Sequence, residues 1–339
     1  MTSADGRIIG TTLVVNNGSP TQRWSLVFMG DGYQNAQLAQ FSTDVQNFVN
    51  DLRRMRPFNV LWSAINVYRV DIESTDSGAD DPVACAGTGA SPRTFFDGSF
   101  CGDNQVQRLL VADQNTAITV ANQEVPQWDM IMIVVNSSIY GGSGGGTAVF
   151  SSVANAGELA LHEMGHTAFR LADEYEYYRG CGSGETTQNN YAGPEPINAN
   201  VTIDTNRATI KWRSLINAAT PVPTTRNSNC SQCDLQGSPV PRGTTGLFEG
   251  AYYHHCGAFR PEFDCKMRAL GNEFCAVCDT TIRRILSPYS TWKINQHPRF
   301  QNHAPNKVNY ELFVREGSQL RHHWFDYSSG QWNQGALFG

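Results

Sequence analysis

His162 and His166 stand four residues apart, with Glu163 directly after the first, in the segment His-Glu-Met-Gly-His. On a helix, positions i and i+4 share one face, so both imidazoles can reach a single ion. Glu163 is rotated by about 100° from His162, which puts it beside such an ion rather than on it. There it can take a proton from water whose pKa a zinc ion lowers towards ~7. The pattern reads as a Zn2+ site with His162 and His166 as ligands and Glu163 as general base. The bland alternative is an exposed helix that happens to carry a histidine pair. Against it, Leu159, Leu161, Met164 and Phe169 embed the motif in apolar sequence, and the cluster Asp173-Glu-Tyr-Glu176 follows.

A catalytic zinc keeps three protein ligands and one open position. Ten residues after His162, where many zincins place a third histidine, stands Ala172. Asp173 and Glu174 are the candidates instead. A continued helix would carry either of them about 15 Å or more along its axis, so the chain must turn back after Phe169. Asp173 is the expected third ligand, because a short side chain suits close approach and Ala172 leaves room beside the metal. Glu174 would then point away, towards a backbone donor or an arginine; the swapped assignment is the alternative. Tyr253 is the expected second catalytic residue, its phenol stabilising an oxyanion near the metal; a merely packed tyrosine is the alternative. His254 and His255 read as surface residues.

The elements that must carry these groups show in the hydrophobic pattern. Trp24 to Met29 is a buried strand ending in the turn Gly30-Asp-Gly32. Leu38, Phe41, Val45, Phe48, Val49 and Leu52 recur at helical spacing, and that helix closes near Pro57. Ile65 to Ile72 and Met130 to Val135 read as strands, with a helix between them around Gln105 to Ala121. Strand and helix alternating in this way suggest layers. The glycine run Tyr140-Gly-Gly-Ser-Gly-Gly-Gly146 lacks the Lys-Ser/Thr of a phosphate cradle and reads as a flexible turn before a strand, Thr147 to Ser151. The catalytic helix should span about Gly157 to Phe169. Asn, Thr, Pro and Gly dominate from Gly180 to about Gly246, as in long loops tied around a site. A short helix is expected over Ala276 to Leu286.

Composition narrows the function classes. The chain has 339 residues and a formal charge of -6, with Lys and Arg scattered, which argues against a nucleic-acid binder. No apolar run approaches the ~20 residues of a membrane span. Leu13-Val-Val15 is too short for a signal-peptide core, whereas nine cysteines suggest an oxidising compartment. The two agree if a leader has already been removed. Nine is odd, so at least one thiol is unpaired within the chain. Cys230-Ser-Gln-Cys233 and Cys275-Ala-Val-Cys278 invite a structural-zinc reading, but their separation exceeds that of such sites, and disulfides are expected. Cys85–Cys101 is the most local candidate pair. Asp76, Asp80 and Asp81 do not match a calcium loop and read as a solvated turn.

From Trp24 to Cys278 the sequence resembles the IgA-peptidase family of metzincin-like metallopeptidases. The resemblance is carried by Phe28-Met-Gly-Asp-Gly-Tyr33, Ile65-Asn-Val-Tyr-Arg-Val70, Asp76-Ser-Gly-Ala-Asp80 and Asn136 to Gly142. It is carried most strongly by His162-Glu-Met-Gly-His166 with Leu171-Ala-Asp-Glu-Tyr175, and by Gly246-Leu-Phe-Glu-Gly250 with Arg260-Pro-Glu-Phe-Asp-Cys-Lys-Met267. It implies a zincin fold, secretion, and protein cleavage with Glu163 as general base. It also implies that Met267 forms a methionine turn beneath the metal; alone, that residue reads as core filler. Like this chain, the family lacks the third histidine of typical metzincins. Cleavage of immunoglobulin A does not follow from the resemblance.

The expected architecture is α+β, a zincin-like catalytic domain over residues 1–290 with a mixed sheet and an active-site helix. A C-terminal β extension over 291–339 resembles one repeat of a lectin-like propeller module, with glycan contact as its possible use. One copy cannot close a propeller, so the tail belongs to a longer protein or packs as a hairpin on the catalytic domain. The expected function is a secreted zinc endopeptidase acting on protein or peptide substrates. Its rivals are a zinc amidase acting on cell-wall peptides and a non-catalytic glycan-binding or adhesion protein.

Overall fold

The computed structural model describes residues 5–178, 180–181 and 189–290, and beyond these the backbone of three strands. Its centre is β2, Trp24–Asp31, every residue of which is buried. Alternate side chains of a strand face opposite ways. Trp24, Leu26 and Phe28 accordingly join one apolar cluster, and Val27 and Met29 another. A strand covered on both faces has to read as an unbroken apolar run. The same holds for β4, Met130–Val135.

β2 pairs in parallel with β3, Ile65–Ser74, and with β4, which pairs in parallel with β6, Ala148–Ser151. Two antiparallel edges complete a mixed sheet of order β1-β3-β2-β4-β6-β5. They are β1, Gly6–Val15, on β3, and β5, Gly142–Ser143, on β6. Four helices accompany the sheet among the described residues. On one face lie α1 (Leu38–Arg54), α3 (Ala156–Phe169) and α4 (Ala276–Leu286), whose buried side chains share a cluster with Phe28, Phe150 and Met267. α2, Gln114–Glu124, covers the other face with Ala117, Val120 and Ala121. Each buried Val, Leu or Phe contributes roughly 1.5–3 kcal/mol, so the sheet is a rigid base for the segments above it. The architecture is α+β, as expected.

Three elements differ from their expected form. α2 begins at Gln114 rather than near Gln105, because Asp113 caps it, its side chain accepting from the amides of Asn115 and Thr116. The glycine run is not a free turn, since Gly142 and Ser143 form β5. A hairpin of β7, Phe248–Ala251, and β8, His254–Arg260, follows the long loops. Those loops are tied as anticipated, by Cys181–Cys233 and Cys230–Cys256, and Cys85–Cys101 forms a third disulfide. Cys265, Cys275 and Cys278 are free thiols, contrary to expectation, and the two Cys-x-x-Cys pairs lie in different environments. In the tail, β9 (Val308–Glu316), β10 (Gln319–Ser328) and β11 (Gln331–Gln334) form an antiparallel sheet of three strands. The side chains expected to contact glycan there lie outside the described residues. No described helix is long and apolar enough to cross a membrane.

Candidate active site

α3 carries His162, Glu163 and His166, and all but the last are buried. The helix ends where the chemistry requires. Arg170 adopts a left-handed conformation (φ 53°), and the amides of Arg170 and Leu171 donate back to the carbonyls of His166 and Gly165. This reversal closes the last turn and brings the next residues back over the helix. Asp173 Oδ1 then lies 3.0 Å from His162 Nε2 and 3.2 Å from His166 Nε2, and the two Nε2 atoms are 3.1 Å apart. Ligands on a tetrahedral ion with bonds of about 2.0–2.1 Å stand about 3.3 Å from one another. The spacing fits one ion facing all three atoms.

Proton placement argues the same way. His162 Nδ1 lies 3.0 Å from the carbonyl oxygen of Lys266, and His166 Nδ1 lies 2.7 Å from that of Leu171. A carbonyl only accepts, so each Nδ1 holds the hydrogen and each neutral Nε2 presents a lone pair. Three acceptors therefore converge, and Asp173 Oδ1 is buried without a hydrogen-bond donor. Such a cluster demands a cation. Without a metal, protons would fill that demand. Burial disfavours the His166 imidazolium, but the Asp173 carboxylate outweighs it and pushes the pKa up to about 9. His162 is raised by the same balance. For Asp173, burial alone would raise the pKa, yet the two histidines hold it far below the usual carboxylate range.

Glu163 is buried (6% exposed), and burial raises its pKa, with His162 and His166 opposing. It opens onto a cleft of about 720 Å³ lined by His162, His166, Asp173, Arg108, Gly142, Ser143 and the tyrosines 140, 175, 177, 178 and 253. The glycine run forms one wall. A β-carbon on Gly142 would come within 2.7 Å of Glu163 Oε1, and one on Gly144 within 2.5 Å of His166 Cβ. Beneath the helix, Met267 is fully buried, and a β-carbon on Gly165 would meet its sulfur at 2.5 Å. The Met267 carbonyl accepts from the Glu174 amide at 2.8 Å.

The structure thus brings His162, Glu163, His166 and Asp173 together and turns Glu174 away. The fully buried Glu174 receives the side-chain amide of Asn200 at 2.8 Å, not an arginine. Tyr253 reaches the site differently from expectation: its hydroxyl donates to Asp173 Oδ2. In this structure the phenol hydrogen is thus directed at the Asp173 carboxylate. Tyr252 and Tyr253 both have positive φ (57° and 65°) in the turn from β7 to β8, as a type I′ hairpin turn requires. His255 corrects its surface assignment. It is buried (1% exposed) with Nδ1 at 3.0 Å from the Cys230 carbonyl, because the hairpin folds its ring under the loops. Two groups had no signal in the residue types: the carbonyls of Lys266 and Leu171 that fix the histidines. The glycine run was a signal, but of close packing rather than flexibility.

A two-histidine, one-carboxylate cluster, buried but for one edge of His166, with a glutamate beside it at the head of a cleft defines the candidate centre of a hydrolytic enzyme. The IgA Peptidase M64 family model matches residues 13–238 and 232–286. The chain belongs to that family and is a peptidase, and peptidases of this family are metallopeptidases. No curated protein matches the chain.

Proposed function

We propose that the chain is a secreted, zinc-dependent endopeptidase in which His162, His166 and Asp173 hold the metal and Glu163 is the general base. The observation that carries this reading is the convergence of two imidazole lone pairs and one orphaned carboxylate oxygen beside a buried glutamate. Zinc bound there would polarise the scissile carbonyl and acidify the attacking water. The donor set of two nitrogens and one oxygen suits that ion. Glu163 takes a proton from the water as its oxygen bonds to the carbonyl carbon. The same carboxyl group then delivers that proton to the leaving amine as the C–N bond breaks. Its raised pKa suits a group that must both accept and donate near neutral pH. The Lys266 and Leu171 carbonyls hold the imidazoles in the tautomer that faces inward, and Tyr253 holds Asp173. Three disulfides support placement outside the cytoplasm.

The test is Glu163→Gln, which preserves shape. Zinc should stay bound while casein cleavage falls by ~10²–10⁴-fold. Near-normal peptidase activity in that variant would end the mechanism. Release of peptides from peptidoglycan without casein cleavage would instead support the amidase.

A further inference from the structure

Behind the active site, on the far side of the peptide that carries Asp173, three thiols and one carboxylate meet in the core. Cys265 and Cys278 are wholly buried, Cys275 is 3% exposed and Glu174 is 0% exposed. Cys265 Sγ lies 3.8 Å from Cys278 Sγ. Glu174 Oε1 lies 3.4 Å from Cys278 Sγ and 3.9 Å from Cys275 Sγ. One ligand atom from each of the four residues falls within 4.8 Å of every other.

We propose that Cys265, Cys275, Cys278 and Glu174 bind a second metal ion, a structural zinc distinct from the catalytic one. A tetrahedral zinc with Zn–S bonds of about 2.3 Å and a Zn–O bond of about 2.0 Å sets sulfurs about 3.8 Å apart and sulfur to oxygen about 3.5 Å. The Cys265–Cys278 and Glu174–Cys278 pairs have those separations, and the remaining pairs, Glu174–Cys275 at 3.9 Å among them, lie within the 4.8 Å that a small inward shift on metal binding would close. The chain's other six cysteines are paired in disulfides, whereas these three remain unpaired. An odd set of three cannot be satisfied by disulfide bonding within itself.

The polar accounting also lacks a cation. Glu174 Oε1 accepts from Asn200, but Oε2 is buried with no hydrogen-bond partner. The nearby Arg260 turns Nε to the Phe263 carbonyl and Nη1 to those of Glu249 and Gly250. Cys275 caps α4 and Cys278 lies one turn in, where the positive end of the helix favours thiolates. The Cys275 amide donates to Cys265 Sγ at 3.4 Å, an arrangement that supports a sulfur carrying negative charge. Three soft thiolates select zinc over calcium or magnesium. Closed four-ligand coordination marks a structural rather than a catalytic site. A third cluster, Glu176 with Cys181 and Cys233, is excluded because its sulfurs are bonded to each other.

The site would tie together the pieces that shape the catalytic centre. Glu174 directly follows Asp173. Cys265 directly precedes Lys266, whose carbonyl orients His162, and stands two residues before Met267, whose carbonyl holds the Glu174 amide. One ion would thus link the returning segment, the loop beneath the helix and α4.

Metal content separates the two sites. Protein purified in the presence of zinc and then dialysed should carry two zinc ions per chain. The His162→Ala/His166→Ala variant, which leaves the second cluster untouched, should carry one. X-ray absorption of that variant should show a sulfur shell at about 2.3 Å. In the unaltered protein that shell should average about 1.5 sulfurs per zinc, three thiolates shared between two ions. Cys278→Ser should lose one zinc and melt at lower temperature. A folded His162→Ala/His166→Ala variant without zinc would overturn the proposal. So would a spectrum of the unaltered protein without sulfur, or a disulfide among the three cysteines in mass mapping. A double variant that kept both ions would count instead against the catalytic site.

Discussion

A methyl group on Gly142 would sit 2.7 Å from Glu163 Oε1 and 3.1 Å from its Cδ. The carboxylate would have to swing aside, and small misplacements of a reacting group are costly. Gly142→Ala should therefore lower turnover by about 10–100-fold while zinc stoichiometry stays unchanged. Unaltered turnover would show that the wall does not position Glu163. Asp31 offers a test of a different kind. It is fully buried, and accepts from Thr94 Oγ1 at 3.0 Å and from the amides of Phe96 and Gly98 at 2.8 and 2.9 Å. Burial outweighs these donors and raises its pKa from 3.8 to about 6. A folded pKa above the unfolded one means the folded state holds the proton more tightly. The associated stability is complete below about pH 4 and is lost as pH rises through about 6. At ~1.36 kcal/mol per pKa unit, the loss reaches up to ~3 kcal/mol. An asparagine side chain has nothing to titrate, so the stability advantage of the natural protein over Asp31→Asn should shrink by that order between pH 4 and 7. Denaturant melts of chelator-stripped protein at the two pH values measure it. A flat gap would mean that Asp31 titrates as an exposed carboxylate, and a widening one that its three donors outweigh burial; either result overturns the prediction.

The end of α3 decides whether Asp173 meets the histidines at all. Arg170 holds φ 53° and ψ 36° there, a conformation that costs a residue with a β-carbon roughly 1–2 kcal/mol. Glycine removes that strain but adds ~0.4–1 kcal/mol of unfolded-state entropy. Arg170→Gly should accordingly be neutral or stabilising by up to ~1.6 kcal/mol, with zinc affinity preserved. Arg170→Val, β-branched at positive φ, should lower both melting temperature and zinc affinity. If calorimetry finds the two variants equally stable, the turn is not the strained point. The sequence required a reversal after Phe169 because a continuing helix leaves Asp173 out of reach; only its mechanism was hidden. Elements with a buried face were equally legible: β2, β4, α1 and α4 announce themselves through apolar runs or helical spacing. β1 was not, because all ten of its residues are at least partly exposed and its Thr- and Gly-containing stretch has no apolar alternation to detect. β5 is two residues long, too short to leave a periodic signal. The start of α2 was marked by Asp113, a capping residue the hydrophobic pattern does not weigh.

At the scale of the whole molecule, the side chains gathered at the candidate site were legible and their supports were not. Two histidines on one helical face and an acidic residue after a turn follow from spacing. The hydroxyl that holds Asp173 comes from Tyr253, 80 residues later, and the carbonyl that holds His162 comes 104 residues later. Such partners are set by tertiary packing, which local periodicity does not encode. The three free cysteines were hidden for the same reason, since only the fold brings Cys265 beside the Cys275-x-x-Cys278 pair. The disulfides divide the molecule along the same line between sheet and loops. Cys181–Cys233 spans 52 residues and Cys230–Cys256 spans 26, and both fasten segments that follow the active-site helix. Restraining loops of such lengths is worth about 3–4 kcal/mol each. None of the three bridges joins two strands of the central sheet, whose stability comes from the two apolar clusters on its faces. Mild reduction of the native protein should therefore speed amide exchange over residues 189–256, including the β7–β8 turn that carries Tyr253. Exchange in β2, β3 and β4 should stay slow. Because Tyr253 holds Asp173, peptidase activity should fall along with that loosening rather than with unfolding of the sheet. Exchange mass spectrometry with parallel casein assays measures both, and simultaneous loss of protection in sheet and loops would show that the disulfides hold the whole domain.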